Sequence, residues 1–252
     1  MSLLGVEVPP ITHVTVWEDL GGGINKTVLV YFFATLMTLL LFFLGTRQKR
    51  LVPAGFFQNT AESSIDFVRN QIIMQTIGPD GMRFLPYLAA LFFFIFFSNI
   101  TEIIPGVQFP ANARFGIPAV LALLTWVIYN VVGVVKQGPL KYLKNSTIPS
   151  GVPMAILPLV ALIEFVSTFI VRPFSLAVRL FANMLAGHLI LVTFGVLCAA
   201  LWAANVTIVI MPFTFFLLVA MTGFEILVSF LQAFIFTILT AVYIGSSMHP
   251  EH

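Results

Sequence analysis

Charge is what this sequence has least of. Asp, Glu, Lys and Arg make up 9% of its 252 residues, against 59% hydrophobic residues that include 27 Phe. A soluble domain carries about 25% charged residues to cover its surface. The shortage excludes a chain that meets water on all sides, so lipid must be its main solvent. Cysteine is nearly missing too. Cys198 stands alone inside an apolar run, which excludes an internal disulfide framework and a thiolate metal cluster and leaves it as a packing residue. A net charge of +2 is too small to point to nucleic acid as a partner. No polar stretch is long enough to build a soluble domain, and no glycine loop is suited to phosphate. No cofactor or metal is expected. The N-terminal sequence has no basic segment followed by an apolar one, so no cleavable signal peptide is expected.

What the sequence does have is long apolar runs. A membrane helix needs about 20 mostly apolar residues. The runs at 27–45, 84–104 and 117–135 meet that requirement, and two longer tracts follow at 152–202 and 206–246. The first of these tracts is too long for one perpendicular helix. It must tilt, bend or break, and Pro173 is the expected bend. Ala203-Ala204-Asn205 reads as the turn that joins the two tracts. Residues 53–77 are mixed: Phe57, Ala61, Ile65, Val68 and Ile72 recur at helical spacing opposite Glu62, Asp66 and Arg69. That pattern predicts an amphipathic helix on the membrane surface, ended by Gly78-Pro79-Asp80-Gly81. Residues 136–150 read as a polar loop with Lys136, Lys141 and Lys144.

The expected fold is therefore an all-α integral membrane protein, a single membrane domain over 1–252. It has five membrane-inserted helices plus one cytoplasmic surface amphipathic helix, and the last two inserted helices form a long tilted hairpin. Arg47, Lys49, Arg50, Arg69 and Arg83, with the three lysines of 136–150, lie on one side, and only Lys26 and Arg114 on the other. Basic residues stay in the cytoplasm. Residues 1–26 are thus expected outside, and the 136–150 loop and the C-terminus inside. No internal repeat is visible, which removes support for an inverted-repeat transporter.

Of the 12 Lys and Arg residues, two fall inside the spans, Arg172 and Arg179. Arginine at the bilayer centre costs roughly 3 kcal/mol or more, so it is kept where it faces protein or a wet cavity. Glu102, Glu164, Glu225 and His188 also fall within apolar tracts. Glu164, Thr168, Arg172, Ser175, Arg179 and Asn183 recur every three or four residues, one polar stripe on a straight helix. Glu225, Ser229, Gln232 and Thr240 follow a comparable face. A hairpin turning near Asn205 brings Arg179 opposite Gln232 and His188 opposite Glu225 in one register. Static interhelical hydrogen bonds account equally well for Thr168, Ser175, Ser229 and Thr240. Arg172 could snorkel to the cytoplasmic interface, and Glu102 could be an interfacial carboxylate. Arg179 resists such accounts. It lies deeper, and no carboxylate within one turn of its own helix neutralises it.

The strings RPFSLAVRLFANMLAGHL (Arg172 to Leu189) and LQAFIFTILTAVYIGSSM (Leu231 to Met248) closely resemble the two signature segments of subunit a of F-type ATP synthases. SNITEIIPG (Ser98 to Gly106) resembles that family's Asn-x-x-acid-x-x-Pro element. The resemblance runs from about Phe84 to the C-terminus.

It implies a proton-translocating stator subunit that offers two offset half-channels to a rotating c-ring, in an energy-transducing membrane such as the bacterial plasma membrane. Arg179 matches the essential arginine facing the c-ring carboxylates, Gln232 its partner glutamine, and Asn183 the asparagine one turn on. His188 and Glu225 match the polar pair of the inlet half-channel, with Glu102 near its mouth. Glu164 matches the acid of the exit half-channel, and Arg172 and Ser175 are accessory. In many bacterial members the acid and the histidine of the inlet pair stand exchanged. Partners implied are the c-ring, peripheral-stalk b-type subunits, lipid and protons. ATP chemistry would lie on other subunits, so the chain itself is not expected to be an enzyme. A proton-coupled secondary transporter or a channel subunit is the alternative. The first should show repeats and a central substrate cavity, the second a symmetric pore-lining element.

Overall fold

The computed structural model describes residues 2–3, 6–7, 25–47, 55–104, 107–148, 153–154, 156–203 and 209–248. Most of residues 1–26, Lys49, Arg50, Pro105 and the expected turn at Ala204-Asn205 lie outside them. Ser2–Leu3 (β1) pairs antiparallel with Val6–Glu7 (β2), a minimal hairpin. Everything larger among the described residues is helical.

Helix α1 spans Lys26–Arg47. Helix α2 covers Phe56–Phe67 and continues through a π-helical turn, Val68–Ile73, into a last turn at Met74–Thr76. A 3-10 segment, Pro79–Phe84, leads into α3, Leu85–Ile100. Another, Ala111–Ala113, precedes α4, Gly116–Gln137, and α5 follows at Pro139–Thr147. The long tract begins as α6, Leu157–Val166, widens into a π-helical turn at Ser167–Val171, and runs on as α7, Arg172–Ala203. Helix α8, Met211–Met248, returns along it. Among the described residues, five helical stretches are long and apolar enough to cross a membrane: Lys26–Phe43, Pro79–Ile100, Gly116–Gln137, Leu157–Trp202 and Met211–Met248. The five-span, all-α architecture is borne out.

The outer faces explain why lipid is required. Phe32 and Phe43 on α1, Leu123 on α4, Phe174 on α7 and Phe213, Phe216 and Leu227 on α8 are all exposed. A soluble protein avoids apolar patches of that extent. Inside, Leu88 and Ile95 of α3, Leu176 and Leu180 of α7, and Phe236 of α8 are fully enclosed, with Ala177, Ala233 and Ala241 letting backbones approach. Phe67 stacks among Phe92, Phe230 and Phe234, which fastens α2 to α3 and α8. The apolar side of α2 therefore meets protein: Ala61, Val68 and Ile72 are buried, while Asp66 and Arg69 stay exposed.

Two expectations need correction. Residues 136–150 are not simply a loop, because Pro139 occupies the first turn of α5 and Gly138, at φ +82°, makes the sharp entry that a residue with a Cβ resists. A helix of this length is too short for periodicity to reveal it. The stripe from Glu164 to Asn183 is not continuous either. The wide turn at Ser167–Val171 holds an extra residue, which shifts everything beyond it by about 100° around the axis. Its cause is adjacent. Pro173 has no N–H and its ring would strike the carbonyl four residues back, so the helix widens there.

Candidate functional site

Two separate polar regions lie along α7, with Arg179 between them in sequence. The first is built where α3 ends. Glu102 is 2% exposed and His188 of α7 is 5% exposed, and His188 Nδ1 lies 3.1 Å from Glu102 Oε1. Glu225 of α8, also buried, sits against α7 at Gly187. A Cβ built there would overlap its carboxylate, so only glycine leaves room for the acid. The expected His188–Glu225 pair is thus corrected: the hydrogen bond of His188 goes to Glu102, and Glu225 lies alongside. A two-helix register could not include Glu102, which arrives from α3. Nor is Glu102 an interfacial carboxylate, since it is enclosed.

Sequence reasoning missed the support behind this cluster. Asn112 donates both amide protons, to Ser98 Oγ at 2.8 Å and Asn99 Oδ1 at 2.6 Å. The Tyr31 hydroxyl of α1 lies 3.0 Å from Asn112 Oδ1 and 2.9 Å from the Ala111 carbonyl. Asn112 thereby joins α1, α3 and the segment before α4. Asn99 belongs to the recognised SNITE string, but Asn112 carries no sequence signal beyond being an amide among apolar residues. Buried atoms beside the cluster have no hydrogen-bond partner among the described residues: Glu102 Oε2, His188 Nε2 and Asn99 Nδ2.

In the second region, Glu164, Thr168 and Arg172 line a cavity of about 200 Å³ together with Gln137, Asn145 and Ser247. The half-buried Arg172 guanidinium lies over the Tyr243 ring at 5.3 Å, a cation–π contact. Gln137 Nε2 donates to the Ser247 carbonyl at 2.8 Å, and Asn145 Nδ2 to Gln137 Oε1 at 2.8 Å, so α4, α5 and the end of α8 close the cavity.

Arg179 is half-buried on α7, and among the described residues it has neither a hydrogen-bond nor an ion-pair partner. Gln232 accepts instead from Asn183: Nδ2 to Oε1 is 2.8 Å, and Gln232 Nε2 has no partner among the described residues. The expected Arg179–Gln232 meeting is displaced by one turn. Arg179 and Asn183 share a face, and the register alone does not choose between them. Ser175, half-buried, makes no side-chain hydrogen bond among the described residues. No group of three or more His, Cys, Asp or Glu among the described residues could hold a metal ion.

Among the described residues, an apolar bundle with five membrane-crossing lengths of helix, buried acids and imidazole, and half-buried arginines defines an all-α, multi-pass membrane protein. The family model for the ATP synthase A chain matches residues 28–245. The chain is 44% identical to ATP synthase subunit a of Frankia alni over 248 residues, covering 94% of this chain and 83% of the relative. It is 41% identical to the subunit a of Rhodococcus erythropolis over 239 residues, 90% and 84% of the two chains. To that of Rhodopseudomonas palustris it is 43% identical over 225 residues, 88% and 87%. The chain belongs to the ATP synthase subunit a family, a membrane-sector subunit of the F-type ATP synthase in a bacterial-type membrane. The resemblance read from the signature strings is borne out.

Proposed function

We propose that this chain is the proton-translocating stator subunit, carrying two half-channels that do not meet directly. The observation that carries the reading is Arg179, half-buried and without a hydrogen-bond or ion-pair partner among the described residues, between two distinct polar regions. Along α7, Arg179 lies about 10 Å beyond Arg172 and about 13 Å short of His188, at 1.5 Å rise per residue. A cation so placed is stable only if it faces an anion or water supplied from outside the chain. The rotating carboxylates of a c-ring would supply that anion.

A proton entering past Glu102, His188 and Glu225, with Asn183 and Gln232 beyond them, neutralises one such carboxylate, which can then turn into lipid without a charge penalty. After nearly a full revolution the acid meets Arg179 from the other side. The cation favours the ionised acid, and the proton leaves through the cavity at Glu164. The same charge repels a proton that would cross directly, so the two regions stay electrically separate. Membrane potential supplies about 2.3 kcal/mol per charge per 100 mV to bias rotation. On this reading the basic segments, including α5, face the cytoplasm, the N-terminus lies outside, and b-type stalk subunits hold the chain against the rotor. The chain itself performs no ATP chemistry.

Arg179→Ala tests the reading. The variant complex is expected to assemble with its ATPase sector and to lose ATP-driven acidification of membrane vesicles. Near-normal acidification would sink it.

A further inference from the structure

Pro173 leaves a gap in the hydrogen-bond ladder of the α6–α7 run. In the wide turn the Arg172 N–H donates to the Ser167 carbonyl, five residues back. In the same pattern the next carbonyl, that of Thr168, would take its proton from residue 173, which has none to give. Thr168 is 4% exposed. An open carbonyl in such a place is costly, and in a membrane protein it must find a partner within the fold. The partner comes from α4: the Tyr129 hydroxyl donates to the Thr168 carbonyl at 2.7 Å. Tyr129 is itself enclosed, at 1% exposure. Its ring meets the Tyr243 ring of α8 edge-on at 5.8 Å, and that ring also carries the Arg172 guanidinium. One hydroxyl therefore ties α4 to the wide turn, at a point where α8 and Arg172 are also held.

We propose that Tyr129 is a positioning residue for proton translocation. By supplying the donor that Pro173 lacks, its hydroxyl keeps the turn at Ser167–Val171 wide. It thereby fixes the rotation of α7, so that Asn183 meets Gln232 and Arg179 points to its outside partner. A return from five-residue to four-residue pairing would move the register by one residue, about 100° around the axis, and carry Arg179 to another face. Ala182 would then stand where Asn183 stands now. The structural half of the proposal stands by itself; the functional half rests on the proton-path reading above.

The test uses the intact ATP synthase in membrane vesicles, with Tyr129→Phe keeping the ring and removing the hydroxyl. Two quantities are read. One is disulfide formation between Asn183→Cys and Gln232→Cys, compared with Ala182→Cys and Gln232→Cys, in a Cys198→Ala background. The other is ATP-driven acidification with Asn183 and Gln232 intact. Tyr129→Phe is expected to shift yield from the 183–232 pair toward the 182–232 pair and to lower acidification on the order of fivefold, the scale of one lost hydrogen bond. Adding Pro173→Ala removes the ring that a four-residue turn would strike and is expected to shift the yield further toward the 182–232 pair, with no recovery of acidification. The proposal is overturned if Tyr129→Phe leaves the cross-linking preference of its parent unchanged. It is overturned equally if the double variant returns to the parent's 183–232 preference, because the wide turn would then need neither the hydroxyl nor the proline. Arg179→Ala separates the two ideas: normal acidification by that variant would defeat the proton-path reading while leaving the cross-linking result, and the role of Tyr129 in the fold, untouched.

Discussion

The two polar regions of α7 are built on opposite plans. At His188 the ionisable groups are packed into direct contact, with Glu102 at 3.1 Å and Glu225 admitted only because residue 187 is glycine. At Arg172 they surround an open space of about 200 Å³, large enough for several waters. Where side chains touch, each one is a link that nothing else replaces, and removing it strands a buried partner. Where a cavity holds water, solvent can substitute for a missing side chain at modest cost. The two ends of the proposed path should therefore differ sharply in their tolerance of mutation.

The largest expected contrast sets His188→Ala against Glu164→Gln. The first leaves Glu102 buried without its hydrogen-bond partner and should lower ATP-driven acidification at least about tenfold. The second keeps shape at the cavity wall and should cost no more than about threefold. Equal losses would erase the difference between the two regions. A step smaller is Gly187→Ala, whose methyl group would displace the Glu225 carboxylate. It should slow acidification several-fold, whereas Gly195→Ala on the same helix, with open space around its Cβ, should leave it unchanged. If both glycines tolerate alanine equally, the close seat of Glu225 against α7 is wrong. Smallest is Gly133→Ala, where a Cβ would strike the Tyr142 ring and loosen α5 from α4. Overpacking of this kind costs about 1–3 kcal/mol. It should appear as a lower unfolding temperature of the complex with acidification largely kept; an unchanged unfolding temperature would show that α5 gives way freely.

Much of the site was legible as a list of residues and little of it as a set of contacts. Arg179 stood out because a cation in an apolar tract with no acid one turn away is a one-dimensional anomaly. Glu225 and His188 stood out for the same reason, and the hairpin register brought their neighbourhoods together: Gly187 meets Glu225, and Asn183 meets Gln232. The partners came out wrong by a turn, or by a helix. A register built from α7 and α8 contains no information about α3, so it could not place Glu102 on His188. Residues such as Asn112, Gln137 and Tyr129 were invisible because a single polar side chain among apolar neighbours looks the same whether it is a hub or a passenger.

The sequence by itself determined the solvent, the helical class, the five spans and the family. Each follows from quantities that add along the chain: apolar content, the 3.6-residue period and contiguous signature strings. The tertiary structure alone decided which carboxylate touches His188, which amide takes Gln232, and where α7 is wound wide. These depend on distances between segments far apart in sequence, and on single hydrogen bonds. The bond from Tyr129 to the carbonyl that Pro173 leaves open exists only once α4 has packed beside it.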